Sequence, residues 1–169
     1  APSRRDASGC AEVTALCRSD APRAIWQVSG GPAPRAYADV FLRHGVALIG
    51  PGDAGPWNAV RDDSALEGSF VRRFASEIIA GDVLLLRTGL ATVGAVGLVV
   101  GDYLYVEAFD DVNGWDLQHA RRVNWCRLPA EHSFYGAPFG ANAARCSRVW
   151  SEEVVDFAVG FQRRRHVLG

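Results

Sequence analysis

The run DVLLLRTGLATVGAVGLVVGDYLYVEAF, Asp82 to Phe109, decides the fold class. It divides into DVLLLRTG, TVGAVGLVV and DYLYVEAF, three runs of Leu, Val and aromatic residues punctuated by glycine, which is the composition of successive strands. The connections, around Gly89 and at Gly101-Asp102, are short enough for antiparallel hairpins. Upstream, Ser69 can cap a helix in which Phe70, Phe74 and Ile78 recur every four residues, and Gly81 stands where such a helix should stop. Downstream, a loop holding Trp115 leads to another strand at about Arg121 to Cys126.

Further out, AIWQVSG, Ala24 to Gly30, alternates as a first core strand should. Pro34 opens a helical stretch to His44 with Tyr37, Val40, Phe41 and His44 on one face, and GVALIG follows as a buried strand. The segment PGDAGPWNAVRDDSALEG, Pro51 to Gly68, reads as a long ordered loop, and loops of that length in compact domains usually carry function. Residues 1–23 form a lead-in with a short helix around Ala11 to Cys17. After Pro129 comes an irregular Gly/Ala-rich stretch. A last helix is then capped by Ser151, with Glu152 and Glu153 in its first turn and Arg163, Arg164 and Arg165 in its last, matching the helix dipole. Trp150, Val154, Phe157, Ala158 and Phe161 make its apolar side. The expectation is an α+β protein: a small curved β-barrel of five or six strands with flanking helices over residues 24–129, and a C-terminal extension over 130–169.

A chain of 169 residues can bury a core without covalent staples, and 49% hydrophobic with 22% charged residues is the balance of a globular protein. All 18 basic residues are Arg. GC-rich coding is explanation enough, although guanidinium forks also suit phosphates and base edges. Cys10, Cys17, Cys126 and Cys146 have neither zinc-knuckle spacing nor the density of a disulfide scaffold, so reduced structural thiols are expected. No window approaches the roughly 18 apolar residues of a membrane span, and a cytoplasmic protein without membrane partners is expected. The lack of any Met, including at the start, leads us to expect a domain cut from a longer protein.

No nucleophile elbow, zincin helix, Walker loop or dinucleotide fingerprint is present, and without Lys a P-loop is excluded. His44, His119, His132 and His166 show no metal spacing, so neither a metal nor another cofactor is expected. Asp116 with His119 offers only a weak acid-base suggestion beside a structural His, and Cys126 reads as core. Trp26 and Trp125 lie in strands and read as core, Trp125 with Val123. Trp57 and Trp115 lie in loops, where an indole either caps the core or stacks on a ligand. Two of them flanking one sheet would make a cage for a flat base, beside a carboxylate that accepts from an exocyclic amine.

In their order, AIWQVSG, FASEIIAGDVLLLRTG, TVGAVGLVVGDYLYVEAF and GWDLQHARRVNWCRLP resemble the PUA-like superfamily. The branch is that of EVE and YTH domains and of the modified-base-sensing domains of modification-dependent restriction systems. The resemblance implies a curled barrel with an aromatic pocket for an extruded base, lined here by Ser29, Asp53, Trp57 and Trp115. Arg121 and Arg122 would reach phosphates at its edge. The implied function is non-catalytic: reading methylated or hydroxymethylated cytosine, or methyladenine, in double-stranded DNA, as the specificity module of a restriction or defence system with a fused or associated nuclease. An RNA-binding PUA-like module and a small hydrolase using Asp53 or His119 stand as alternatives.

Overall fold

The computed structural model describes residues 24–58, 70–141 and 143–168, with side chains to residue 160. The expected lead-in and its helix, Cys10, Cys17, the far half of the long loop, the Ser69 cap, and the side chains of Phe161 and the terminal arginines lie outside the described residues. The core is one curled sheet of six strands, a half-barrel flanked by three helices. The strands are β1 (Ile25–Ser29), β2 (Val46–Ile49), β3 (Val83–Arg87), β4 (Thr92–Tyr105), β5 (His119–Ser133) and β6 (Cys146–Arg148), ordered β2-β5-β4-β3-β1-β6. The helices are α1 (Ala38–His44), α2 (an α-helical turn, Phe70–Arg72, running into a π-helical one, Arg73–Glu77) and α3 (Glu152–Leu168).

The sheet is mixed. β1 pairs with β3 in parallel, and every other pairing is antiparallel. β3 is buried at all five positions, as its unbroken VLLL run requires of a central strand covered on both faces. Leu84 and Leu86 face the larger core with Trp26, Val28, Phe41, Phe74 and Trp125. Val83 and Leu85 face a second core with Leu98, Phe134, Phe139, Val149 and Val154.

Two expectations are corrected. Gly101-Asp102 is not a hairpin turn, because β4 runs through it: Val99 lies opposite Val123 and Tyr103 opposite Arg121, so β4 spends four steps where β5 spends two. Such a bulge bends and twists a strand without ending it. Nor does Pro129 separate a domain from an extension. β5 continues to Ser133, and Pro129 sits in a second bulge, between Ala95↔Arg127 and Val93↔His132, where a residue without an N–H is tolerated. β6 extends the sheet beyond β1. The buried Gln27 and Arg87 bind this segment to the sheet: Gln27 Nε2 donates to the Ala144 carbonyl and the Ser147 hydroxyl, at 2.7 and 2.9 Å, while Arg87 Nε donates to Gln27 Oε1 at 3.0 Å.

The first two helices are shorter than expected. α1 starts at Ala38, not Pro34, and ends at Gly45, whose φ of 64° is the left-handed conformation that lets its N–H close on the Phe41 carbonyl. His44, expected on its buried face, is exposed. α2 widens into its π turn, where Ile78 N–H reaches the Arg73 carbonyl, five residues back. Val154 and Ala158 carry the buried side of α3, whereas Trp150 just before it is 76% exposed.

Candidate functional site

The loop leaving β2 is drawn down onto the strands by hydrogen bonds from β4, β5 and the segment before β5. Gly52 N–H donates to Asp116 Oδ2 at 3.0 Å, and the Tyr105 hydroxyl donates to the Gly52 carbonyl at 2.7 Å. A Cβ on Gly52 would run into the Gln118 side chain, so the close approach requires glycine. His119 links the loop to the sheet. Its Nε2 lies 2.9 Å from the Pro51 carbonyl, which can only accept, so Nε2 carries the proton. Nδ1 therefore accepts from the Tyr103 hydroxyl, 2.5 Å away, and the oxygen of that hydroxyl accepts the Trp57 backbone N–H at 2.9 Å. Burial above all holds the His119 pKa below its usual range, against the opposing pull of the Pro51 carbonyl and Asp116. Burial likewise raises that of Tyr103.

This chain sets Trp57 at the rim of a cleft of about 650 Å³, lined also by Ala75, Ile78, Asp102, Tyr103 and Arg121. Trp57 is half-buried. Arg121 is 3% exposed. Its guanidinium donates to the carbonyls of Gly101 at 3.0 Å and of Phe74 and Ala75 at 3.4 Å, so it holds α2 against the β4 bulge. Its Nε has no partner. Burial lowers its pKa, and the fields of Asp102 and Asp82 oppose that shift without either carboxylate pairing with it. The arrangement can hold a flat ring against aromatic walls, with hydrogen-bonding groups of both signs beside it.

The residues expected to share a pocket fall in different places. Trp57 lines the cleft, and Asp53 is exposed on the same loop. Ser29 lies elsewhere, at the end of β1, where its hydroxyl accepts the Gly31 N–H at 3.1 Å. Trp115 is spent on packing: Arg35 stacks 4.4 Å from its ring centroid, its Nε1 donates to the Arg35 carbonyl at 3.0 Å, and its edge meets Tyr37. Trp115 does not line the Trp57 cleft. The phosphate-contacting role expected of Arg121 does not fit its burial, while its neighbour Arg122 is exposed. Tyr103 and Asp102 were not foreseen. The signal for Tyr103 was the alternation in DYLY, which puts Tyr103 and Tyr105 on one face of a strand; reading Gly101-Asp102 as a turn hid their register with His119.

A family model described as a domain of unknown function, DUF8426, matches residues 26–144. The chain belongs to that family. The DUF8426 match takes in β1 to β5 and therefore both the cleft and the Trp115 cluster, and it stops just before β6. No curated protein matches the chain. Among the described residues of this DUF8426 protein, no group of His, Cys, Asp and Glu side chains is placed to hold a metal ion. No described helix is long and apolar enough to cross a membrane. Cys126 and Cys146 are buried, and burial pushes the Cys146 pKa up to about 12.

Proposed function

We propose that this DUF8426 protein is a non-catalytic nucleic-acid reader that takes an extruded, modified base into the Trp57 cleft. In this reading the half-barrel is a PUA-like domain of the EVE and YTH type, and it serves as the specificity module of a modification-dependent restriction or defence system. The observation that carries the proposal is the tethering of Trp57: a half-buried indole on a loop, fixed through its own backbone N–H to Tyr103, forms a wall of a cleft large enough for a nucleobase. An indole that only capped the core would need no such opening beside it. Arg122, exposed on β5 next to Arg121, is a candidate phosphate contact. A hydrolase built on His119 is less well supported, because both ring nitrogens are already engaged.

The test is a binding panel of duplex and single-stranded DNA and RNA oligonucleotides with a single 5-methylcytosine, 5-hydroxymethylcytosine or N6-methyladenine. It is run on the wild type and on Trp57→Ala. A modified oligonucleotide should bind more tightly than its unmodified match, and Trp57→Ala should lose about 1–3 kcal/mol of that affinity, the worth of one base-aromatic stack. Equal affinity of wild type and a folded Trp57→Ala would remove the cleft from the reading. Preference for RNA over DNA would select the RNA-binding alternative.

A further inference from the structure

Arg148 and Trp150 form an exposed stacking pair that the packing of the core does not use. Trp150 is 76% exposed, where an indole is ordinarily well covered. Arg148 is exposed as well, and its guanidinium lies 4.6 Å from the Trp150 ring centroid and 5.6 Å from that of Trp26, its partner in the β1-β6 pairing. Trp26 is buried, so the guanidinium links the core to the open ring of Trp150. Among the described residues no carboxylate pairs with Arg148. The pair also adjoins the Trp57 cleft. Trp26 Nε1 donates to Asp82 Oδ2 at 3.0 Å, and the same oxygen accepts, at 3.1 Å, the N–H of Ile79, which lines the cleft. Ile79 is itself 61% exposed, so the cleft wall nearest Trp26 is open and apolar.

From this we infer that Arg148 and Trp150 are a second nucleotide subsite, which stacks a base flanking the modified one and contacts the phosphate beside it, and that the strand is read unpaired. The inference rests on the base-reading function proposed above. An aromatic face with a guanidinium beside it suits a single strand, the ring taking a base and the cation the backbone. A base inside a duplex has both faces covered by its neighbours in the stack, so only an unpaired strand can lay one on Trp150. Because every base has a stacking face, the subsite adds affinity without choosing the modification. It belongs to β6 and the segment leading into α3, beyond the residues 26–144 that the family model matches.

Short single-stranded oligonucleotides with a central 5-methylcytosine, 5-hydroxymethylcytosine or N6-methyladenine are titrated against the wild type, Trp150→Ala and Arg148→Gln. Beside them stand their unmodified matches, their duplexes, and versions in which every flanking nucleotide is abasic, so that the phosphates remain without the bases. Both side chains are exposed, so neither change opens the core. Trp150→Ala should weaken the preferred single strand about fivefold or more, the lower end of one base-aromatic stack, and leave the abasic-flanked strand unchanged. Arg148→Gln should weaken both and reduce the log-log salt slope by about 0.7, the worth of one phosphate on a single strand. Wild-type affinity in Trp150→Ala, an equal loss on the abasic-flanked strand, an unchanged salt slope in Arg148→Gln, or binding of the duplex alone overturns the subsite while the reader stands. If no modified oligonucleotide binds better than its unmodified match, the reader falls, and the inference with it.

Discussion

Trp57 and Trp115 are both half-buried loop indoles, and their surroundings give them opposite roles. Trp115 has its ring under a guanidinium and its N–H on a carbonyl, so Trp115→Ala should act on stability. The loss should be about 2 kcal/mol, below the roughly 3–5 kcal/mol of a fully buried aromatic, with oligonucleotide affinity unchanged. Chemical denaturation and a binding titration on the same variant check this. His119 supplies the pH dependence. Its folded pKa lies below its ordinary value of 6.5, so on acidification the unfolded chain takes up the proton first. Its contribution is therefore complete above about pH 6.5 and declines as pH falls through 6.5 toward the lower folded pKa. Protonation also turns Nδ1 from acceptor into donor, so the bond to Tyr103 that helps set Trp57 has to reverse, with the hydroxyl oxygen accepting. Denaturation midpoints measured from pH 8 to pH 5 should fall over that window, and His119→Gln should flatten the fall.

Among the strands, Gly97 of β4 lies opposite Trp125 of β5, and a Cβ there would strike the Val123 and Trp125 side chains. Gly97→Ala should cost about 1–3 kcal/mol by overpacking. The same change at Gly160, inside α3 with nothing within 4 Å of its added Cβ, should stabilise by up to about 1 kcal/mol. Denaturant midpoints of the two variants should move in opposite directions. β1, β2 and β3 were legible, because each is a largely apolar run bounded by glycine or aspartate, whereas β4 was split at Gly101-Asp102, β5 was placed only at about Arg121 to Cys126, and β6 lay in a stretch read as irregular. Which strands pair was less legible. β1 and β3 pair in parallel across more than 50 residues, and no local pattern encodes so distant a neighbour. The bulge at Gly101 looks in sequence like a turn, because glycine and aspartate serve both. Of the expected base-binding set, Trp57 alone lines the cleft, since residue type marked the loop aromatics but not which face of the sheet each would meet.

For the molecule as a whole, the second core fixes where the chain can be cut. Phe134, Phe139, Val149 and Val154 cover Val83, Leu85 and Leu98. A chain ending at Pro129 should therefore expose that face and lose β6, giving an aggregating product without a cooperative thermal transition in circular dichroism, whereas one ending at Gly160 should retain that transition. Intact tryptophan environments in the shorter chain would contradict this view of the packing. The position of β1 between β3 and β6 also bears on how the protein is made. During synthesis the first strand leaves the ribosome before either of its neighbours exists, and its second edge stays open until Arg148 has emerged. The antiparallel β3, β4 and β5 can assemble on their own as soon as they appear, whereas Trp26 and Val28 must wait in an unprotected segment until the chain has been made as far as β6. At the usual pace of elongation, about 5–20 residues per second, that wait lasts several seconds or more. The interval of greatest exposure to chaperones and proteases thus belongs to the earliest part of the domain, and it ends only when β6 closes over the strand.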